Sequence, residues 1–230
     1  MHSGGSFTRT LCTNDKVQVR HYYRTELNPK LHLSIKRKLS NFALILAAGK
    51  STRMGTCKTS LPWGGKTLLT YQIEQWLSIG FTPVVVLGLH NADRQKDCLV
   101  GSLTVINPHS HAGKTTSILT GLEHIPPDLE ILAISAVDQP RESDIYQRLV
   151  QTHQDNSALI TAPTYQGKMG HPLLFGNRMR SHLTNIQEAT LGLRHIIQEF
   201  YSVIHKVEFD HPAVLLDINT PDVYQAQLFN

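Results

Sequence analysis

At 230 residues and 40% hydrophobic content, the chain is long enough to bury roughly 70% of its unfolded surface, so one domain with its own core is expected. No apolar run approaches the ~18 residues of a membrane span, no apolar stretch marks a secretory signal, and the three cysteines, Cys12, Cys57 and Cys98, form neither a disulfide framework nor a CxxC zinc pair. The expectation is a protein of the reducing cytoplasm with no membrane partner. The net charge of +4 is unevenly spread: eight basic residues face two acidic ones before residue 41, which leaves −2 for the remainder. Residues 1–40 thus read as a basic N-terminal extension, mobile at its polar start, with a strand candidate at Val17–Tyr23 and a basic segment at Leu31–Lys38. An added tail is its simplest reading, although an acid-poor basic composition also suits an organelle transit peptide. Aromatic residues are not interleaved with the charges, so no nucleic-acid partner is expected.

The stretch Asn41–Lys58, NFALILAAGKSTRMGTCK, is the one around which the rest of the chain is organised. Phe42–Ala47 is a continuous apolar run, the pattern of a strand buried on both faces of a parallel sheet. It breaks into small residues mixed with Lys50, Arg53 and Lys58. A buried strand opening into a glycine-containing cationic loop is how α/β proteins hold phosphates, because backbone N–H groups approach closely and basic side chains supply countercharge. It is not a Walker loop, which needs a glycine five residues before GK[ST]; Gly49, Gly65 and Gly113 have Leu44, Ser60 and Pro108 there. Nor is it the dinucleotide GxGxxG, which disfavours a nicotinamide oxidoreductase.

What remains over Leu46–Leu61 is LAAG-x-S-x-R-M-G-x-x-K-x-x-L. This resembles the signature of the MobA-like nucleotidyltransferases, a family that attaches nucleotides to molybdopterin and is related to sugar-phosphate and isoprenoid-precursor nucleotidyltransferases. The resemblance implies that Leu46, Ala47, Ala48, Gly49, Ser51 and Gly55 cradle a nucleoside triphosphate. Arg53 and Lys58 then stabilise charge on the phosphates and the departing pyrophosphate, while Lys50 occupies a variable, solvated position. Ala48 stands where guanylyltransferases of this group carry glycine, which leans towards CTP and cytidylyl transfer.

Further along, Thr67 is placed to cap a helix running to about Ile79, with Leu68, Leu69, Ile73, Trp76 and Leu77 on its core face. Pro83–Leu87 reads as a second strand, Ala92–Val100 as a short polar helix and Leu103–Ile106 as a third strand. His90 and Asp93 come after the second strand, where solvated loop residues are the simpler reading. Asn107–Leu122 resembles the family's second block, with Gly113, Ser117 and Gly121 at the matching positions and Gly113 and Ser117 implied in nucleotide binding. Gly113 supplies a turn, and Thr115 or Thr116 a helix cap whose free N–H groups face an anion. His109 and His111 lack a third ligand nearby, which argues against a metal pair.

Glu130–Val137 reads as a fourth strand ending in Asp138-Gln139-Pro140. A carboxylate at the carboxyl end of a buried strand lies where open α/β sheets bind ligands. By resemblance Asp138 is the magnesium ligand, although a helix N-cap before Glu142–His153 is the plainer alternative. Ala158–Ala162 is a fifth strand and Thr164–Lys168 a hairpin. Gly170-His171-Pro172 matches the family's GHP beside the second substrate, so His171 is implied in acceptor binding. Gly192-Leu193-Arg194 matches the family's G-x-R without its preceding acidic turn, and makes Arg194 the weaker acceptor candidate on a Leu191–Phe200 helix. Val214–Asp217 reads as a short strand leading to Asn219-Thr220-Pro221-Asp222, with Pro221 opening a closing helix. The family carries an acid where Asn219 stands, which leaves both Asp217 and Asn219 as metal-ligand candidates.

Alternating strands and helices predict a three-layer, Rossmann-like α/β nucleotidyltransferase fold over 41–230, with a mostly parallel sheet and one antiparallel strand around Pro172–Phe175. The resemblance implies a magnesium-dependent nucleotidyltransferase with molybdopterin, the molybdenum cofactor precursor, as acceptor and a molybdoenzyme as eventual partner. The alternatives are guanylyl transfer, a sugar-phosphate acceptor, or a non-catalytic module that delivers molybdenum cofactor.

Overall fold

The computed structural model describes residues 40–228; Val17–Tyr23 and Leu31–Lys38 lie outside the described residues. In chain order the elements are β1 (Phe42–Leu46), β2 (Pro62–Trp63), β3 (Lys66–Thr67), α1 (Leu68–Ser78), β4 (Thr82–Gly88), β5 (Leu103–Asn107), α2 (Lys114–Leu122) and β6 (Ile131–Ala136). Then come α3 (Ser143–Asp155), β7 (Ile160–Tyr165), β8 (Lys168–Met169), β9 (Leu173–Gly176), α4 (Arg180–Thr184), α5 (Leu193–Glu199), β10 (Ile204–Glu208) and α6 (Pro221–Leu228).

β1 pairs in parallel with β4 on one side and β6 on the other, in the centre of a sheet ordered β10-β7-β9-β6-β1-β4-β5. Its side chains alternate between two helical layers. Phe42 and Leu44 pack with Ile118, Leu122, Leu183 and Ile196 of α2, α4 and α5. Ala43 and Ile45 pack with the Trp76 and Tyr146 layer of α1 and α3. A strand buried on both faces has no polar alternation, which is why the run reads as continuously apolar. Gly121 lets α2 lie close on the sheet, since a Cβ there would stand 2.2 Å from Leu44 Cδ1. On the other face Trp76 stacks on Tyr146 with ring centroids 3.8 Å apart, a pairing that adds about 1 kcal/mol beyond area burial. Thr67 caps α1 as expected, its hydroxyl accepting the Thr70 N–H at 3.1 Å.

The sheet is mostly parallel, and β9 runs antiparallel to both β6 and β7, as predicted for that strand. The 164–168 hairpin is present as β7 and the short β8. Two local expectations fail. Val214–Asp217 is no strand: Pro212–Leu215 is a 3-10 turn, because the Val214 carbonyl accepts from Arg141 and from the His171 N–H instead of a ladder partner. The helix expected at 92–100 is a 3-10 segment over Leu89–Asp97, bent at Asn91, whose side chain bonds back to the backbone. Glu142 stands at the N-cap of α3, so the alternative reading of Asp138 as that cap is not taken up. Edge strand β10 carries exposed Lys206 and Glu208 and was not assigned from the sequence.

Candidate active site

Two adjoining cavities open at the carboxyl ends of the central strands. The first, about 340 Å³, is walled by Leu46–Gly49, the 51–59 loop, the 110–117 segment, Asp138 and Asn219. The second, about 570 Å³, lies between α2, β6, the 169–173 loop and α5. Leu46, Lys114 and Ala136 line both.

The loop after β1 is held in shape from several sides. Asn91 is buried; it donates to Ala47 O at 2.9 Å and accepts the Gly88 N–H at 2.8 Å. His90 Nε2 lies 3.3 Å from Gly49 O, so His90 braces the loop from outside. Ser51 adopts a left-handed conformation, φ 53 and ψ 32, which costs a non-glycine residue about 1–2 kcal/mol. Its hydroxyl accepts the Lys58 N–H at 3.2 Å and ties the two ends of the loop together. Met54 anchors the middle in a small core with Leu61, Leu68, Ile218 and Tyr224. Gly55 supplies the φ 66 turn. Lys50 is exposed, as expected, and Arg53 stands exposed at the cavity rim.

Lys58 reaches across this cavity. Its ammonium donates to Asp138 Oδ2 at 2.6 Å and to Asn219 Oδ1 at 2.8 Å, with side-chain exposures of 12% for Lys58 and 19% for Asp138. Three residues far apart in sequence thus meet at one point. Asp217 faces elsewhere: its Oδ1 accepts from the Gln139 amide at 2.9 Å. Of the two residues left open by the sequence, Asn219 therefore joins Asp138. The Asp138 turn is fixed on both sides. Gln139 Oε1 accepts the Ala136 N–H at 3.0 Å; Gln72 Nε2, fully buried, donates to the carbonyls of Ala136 at 3.1 Å and Val137 at 2.6 Å. The Ile218 N–H donates to Asp138 O at 2.8 Å, which brings Asn219 alongside.

The second cavity has apolar walls, including Ile118, Ile134, Leu173 and Ile197, and the polar groups His171, Arg194 and Glu188. Both acceptor candidates are thus brought together in one pocket. Burial pushes the His171 pKa below the ordinary histidine value, with nearby Asp217 acting against the shift, so its imidazole is neutral near pH 7. Behind it lies Arg141, a buried guanidinium donating only to carbonyls: Pro140 at 2.7 Å, Val214 at 2.8 Å and His171 at 3.2 Å. Burial lowers its pKa to about 10, and it fixes the 171 loop against the C-terminal segment. Gly113 and Ser117 line the first cavity. Ser117 Oγ accepts from Asn107 Nδ2 at 3.0 Å. The expected threonine cap of α2 is corrected: Thr116 Oγ1 donates to Gly113 O, and the Thr115 N–H is taken by Glu188 at 3.0 Å.

Gln72, Asn91, Arg141 and Glu188 were not singled out from the sequence. Arg141 had a visible signal, a lone cation beside Asp138-Gln139-Pro140. Glu188 supplies an acid on the turn that precedes Gly192-Leu193-Arg194. His109 and His111 lie with ring centroids 6.3 Å apart, and among the described residues no group of three or more His, Cys, Asp or Glu side chains is placed to hold a metal.

A family model described as the MobA-like NTP transferase domain matches residues 43–206. The chain belongs to the MobA-like NTP transferase family. It is 28% identical over 188 residues to the molybdenum cofactor cytidylyltransferase of Escherichia coli (strain K12), covering 78% of this chain and 91% of that protein. Among solved structures it resembles Rv0371c from Mycobacterium tuberculosis H37Rv, with TM-score 0.72 and 23% identity over 84% of this chain and 98% of that one. A manganese complex of the same mycobacterial protein gives TM-score 0.67 and 21% identity over 83% and 99%. At such identities these likenesses speak for the fold. The span of the MobA-like match contains Lys58 and Asp138, whereas Asp217 and Asn219 lie beyond it.

Proposed function

We propose that the chain transfers a cytidylyl group from CTP to the phosphate of a molybdopterin-type acceptor and releases pyrophosphate, with magnesium as the metal. The observation that carries this reading is the meeting of Lys58, Asp138 and Asn219 at the cavity opposite the Leu46–Gly49 backbone. The E. coli cytidylyltransferase supports the choice of base and acceptor, as does Ala48. The smaller first cavity suits the nucleotide, and the larger, apolar-walled second cavity suits a ring-bearing acceptor.

Two hard oxygens, from Asp138 and Asn219, converge on one cationic nitrogen at 2.6 and 2.8 Å, so this donor pair fits a magnesium ion completed by phosphate oxygens. When bound, the ion supplies charge neutralisation on the triphosphate. The remaining work falls to the chain. Backbone N–H groups of the 47–55 loop bind the phosphates, and Arg53 and Lys58 stabilise charge on the pyrophosphate as it leaves. An acceptor phosphate oxygen forms a bond to the α-phosphorus while the α–β bridging P–O bond breaks and its electron pair departs with pyrophosphate. The nucleophile is already anionic, so positioning matters more than a base. Arg194 and the neutral His171 hold the acceptor.

The test is pyrophosphate release from CTP, magnesium and molybdopterin, with GTP and sugar phosphates as competing substrates. Release with CTP and molybdopterin is expected. Preference for GTP would revise the base, preference for a sugar phosphate the acceptor, and no product with any pair would favour a non-catalytic module.

A further inference from the structure

Glu188 belongs to the wall of the second cavity, yet its carboxylate extends to the first turn of α2, where Oε2 accepts the Thr115 N–H at 3.0 Å. Room for it exists because residue 113 is glycine. A Cβ built there would stand 2.3–2.6 Å from the Glu188 carboxyl atoms, on a backbone at φ +114. The reverse fit is made by Gly192, on the same turn as Glu188, where a Cβ would stand 2.3 Å from Thr115 Oγ1. That turn is itself closed by Leu191 N–H to Glu188 O at 3.1 Å and Gly192 N–H to Gln187 O at 2.9 Å. Each surface carries a glycine where the other carries a side chain. Gly113 therefore has a structural requirement separate from any nucleotide.

This interlock spans the seam between the two cavities. Gly113 walls the first, Lys114 lines both, and Thr115, Glu188, Leu191 and Arg194 wall the second. A carboxylate on a helix N-terminal N–H is a charge-assisted bond, and losing it leaves a donor unmet at the start of α2. We infer that Glu188 is a positioning residue through which the acceptor-side turn sets the Gly113–Lys114 backbone, and with it the grip of the nucleotide cavity. The inference rests on the nucleotidyltransferase reading of the two cavities. Coupling of this kind is reciprocal, so nucleotide binding also steadies the acceptor pocket.

The experiment compares wild type with Glu188→Gln, Glu188→Ala and Gly192→Ala. Amide hydrogen exchange over residues 113–117 is followed without ligand, and binding of CTP, GTP, ATP and UTP with magnesium is measured by calorimetry. Glu188→Ala is expected to exchange at least about 10-fold faster over 113–117 and to bind the preferred nucleotide about 10-fold more weakly. Glu188→Gln, which keeps an acceptor oxygen, stays within about threefold on both measures. Gly192→Ala, outside the first cavity, weakens the same nucleotide about 10-fold by displacing Thr115. Faster exchange with unchanged nucleotide affinity in Glu188→Ala would reduce Glu188 to an ordinary helix cap, and unchanged exchange would remove the interlock altogether. If wild type binds none of the four nucleotides, the nucleotidyltransferase reading fails first and this inference goes with it, an outcome distinct from wild-type binding that Glu188→Ala leaves intact.

Discussion

The first cavity takes much of its wall from one continuous stretch, Leu46–Thr59, whereas the second is assembled from β1, α2, β6, the 169–173 loop and the 188–197 turn and helix. Their chemistry differs in the same sense. The first presents small residues, backbone and the Lys58–Asp138 pair; the second presents apolar walls with a few polar groups. A phosphate grip needs main-chain N–H groups in a tight bend, which a short local sequence can encode. A pocket for a ring system needs apolar surface from several directions, and only long-range packing supplies that.

That contrast predicts that damage to the first cavity will show in turnover and damage to the second in acceptor handling and stability. The largest effect belongs to Asp138→Ala, which strands Lys58 beside Asn219 alone and removes the one carboxylate that lines the first cavity among the described residues. Turnover should fall about 10³-fold with an unchanged far-ultraviolet circular dichroism spectrum; retained activity would take Asp138 out of the site. Next is Arg141→Met, which takes the guanidinium donor from the carbonyls of Pro140 and His171 and leaves Val214 with the His171 N–H alone. It should cost about 3 kcal/mol and lower the melting temperature by roughly 6–12 °C. The acceptor KM should rise while calorimetric nucleotide affinity stays close to wild type, and an equal loss on both sides would blur the distinction between the cavities.

Arg53→Ala, on the exposed rim, should slow turnover about 10²-fold with little change in melting temperature; an unchanged rate would end its assigned role. The smallest effect lies outside both cavities and gives the baseline for acid sensitivity. His153 donates to or accepts from Thr161 Oγ1 at 2.8 Å, and burial, with His205 nearby, lowers its pKa to about 4. The unfolded chain takes up this proton near pH 6.5 and the folded one only near pH 4, so the stability it supplies is present above 6.5 and lost as pH falls towards 4. Between pH 7.5 and 5.5 the loss is about 1 kcal/mol, which His153→Gln should abolish in urea titrations at the two pH values. The same acid loss in the variant would assign it to another group.

Much of the fold was legible because its signals are local. The unbroken run at Phe42–Ala47 marked a doubly buried strand, Thr67 marked the start of α1, and Pro221 the start of α6. Failures occurred where distant groups decided. Val214 reads as strand, but Arg141 and His171 claim its carbonyl. Asp138 offers a helix cap as the alternative to a cleft carboxylate, and Glu142 takes the cap position instead. Thr115 reads as a cap until Glu188 takes its N–H.

By itself the sequence determined the glycine-containing, cationic bend after the first strand and the alternating α/β order, because spacing of apolar, glycine and basic residues acts within a few residues of chain. Only the tertiary structure decided that Asn219, and not Asp217, joins Asp138 at Lys58, and that Glu188 and Arg141 brace the two cavities. Those choices depend on which carboxyl ends the sheet order sets side by side, and no local pattern carries that information.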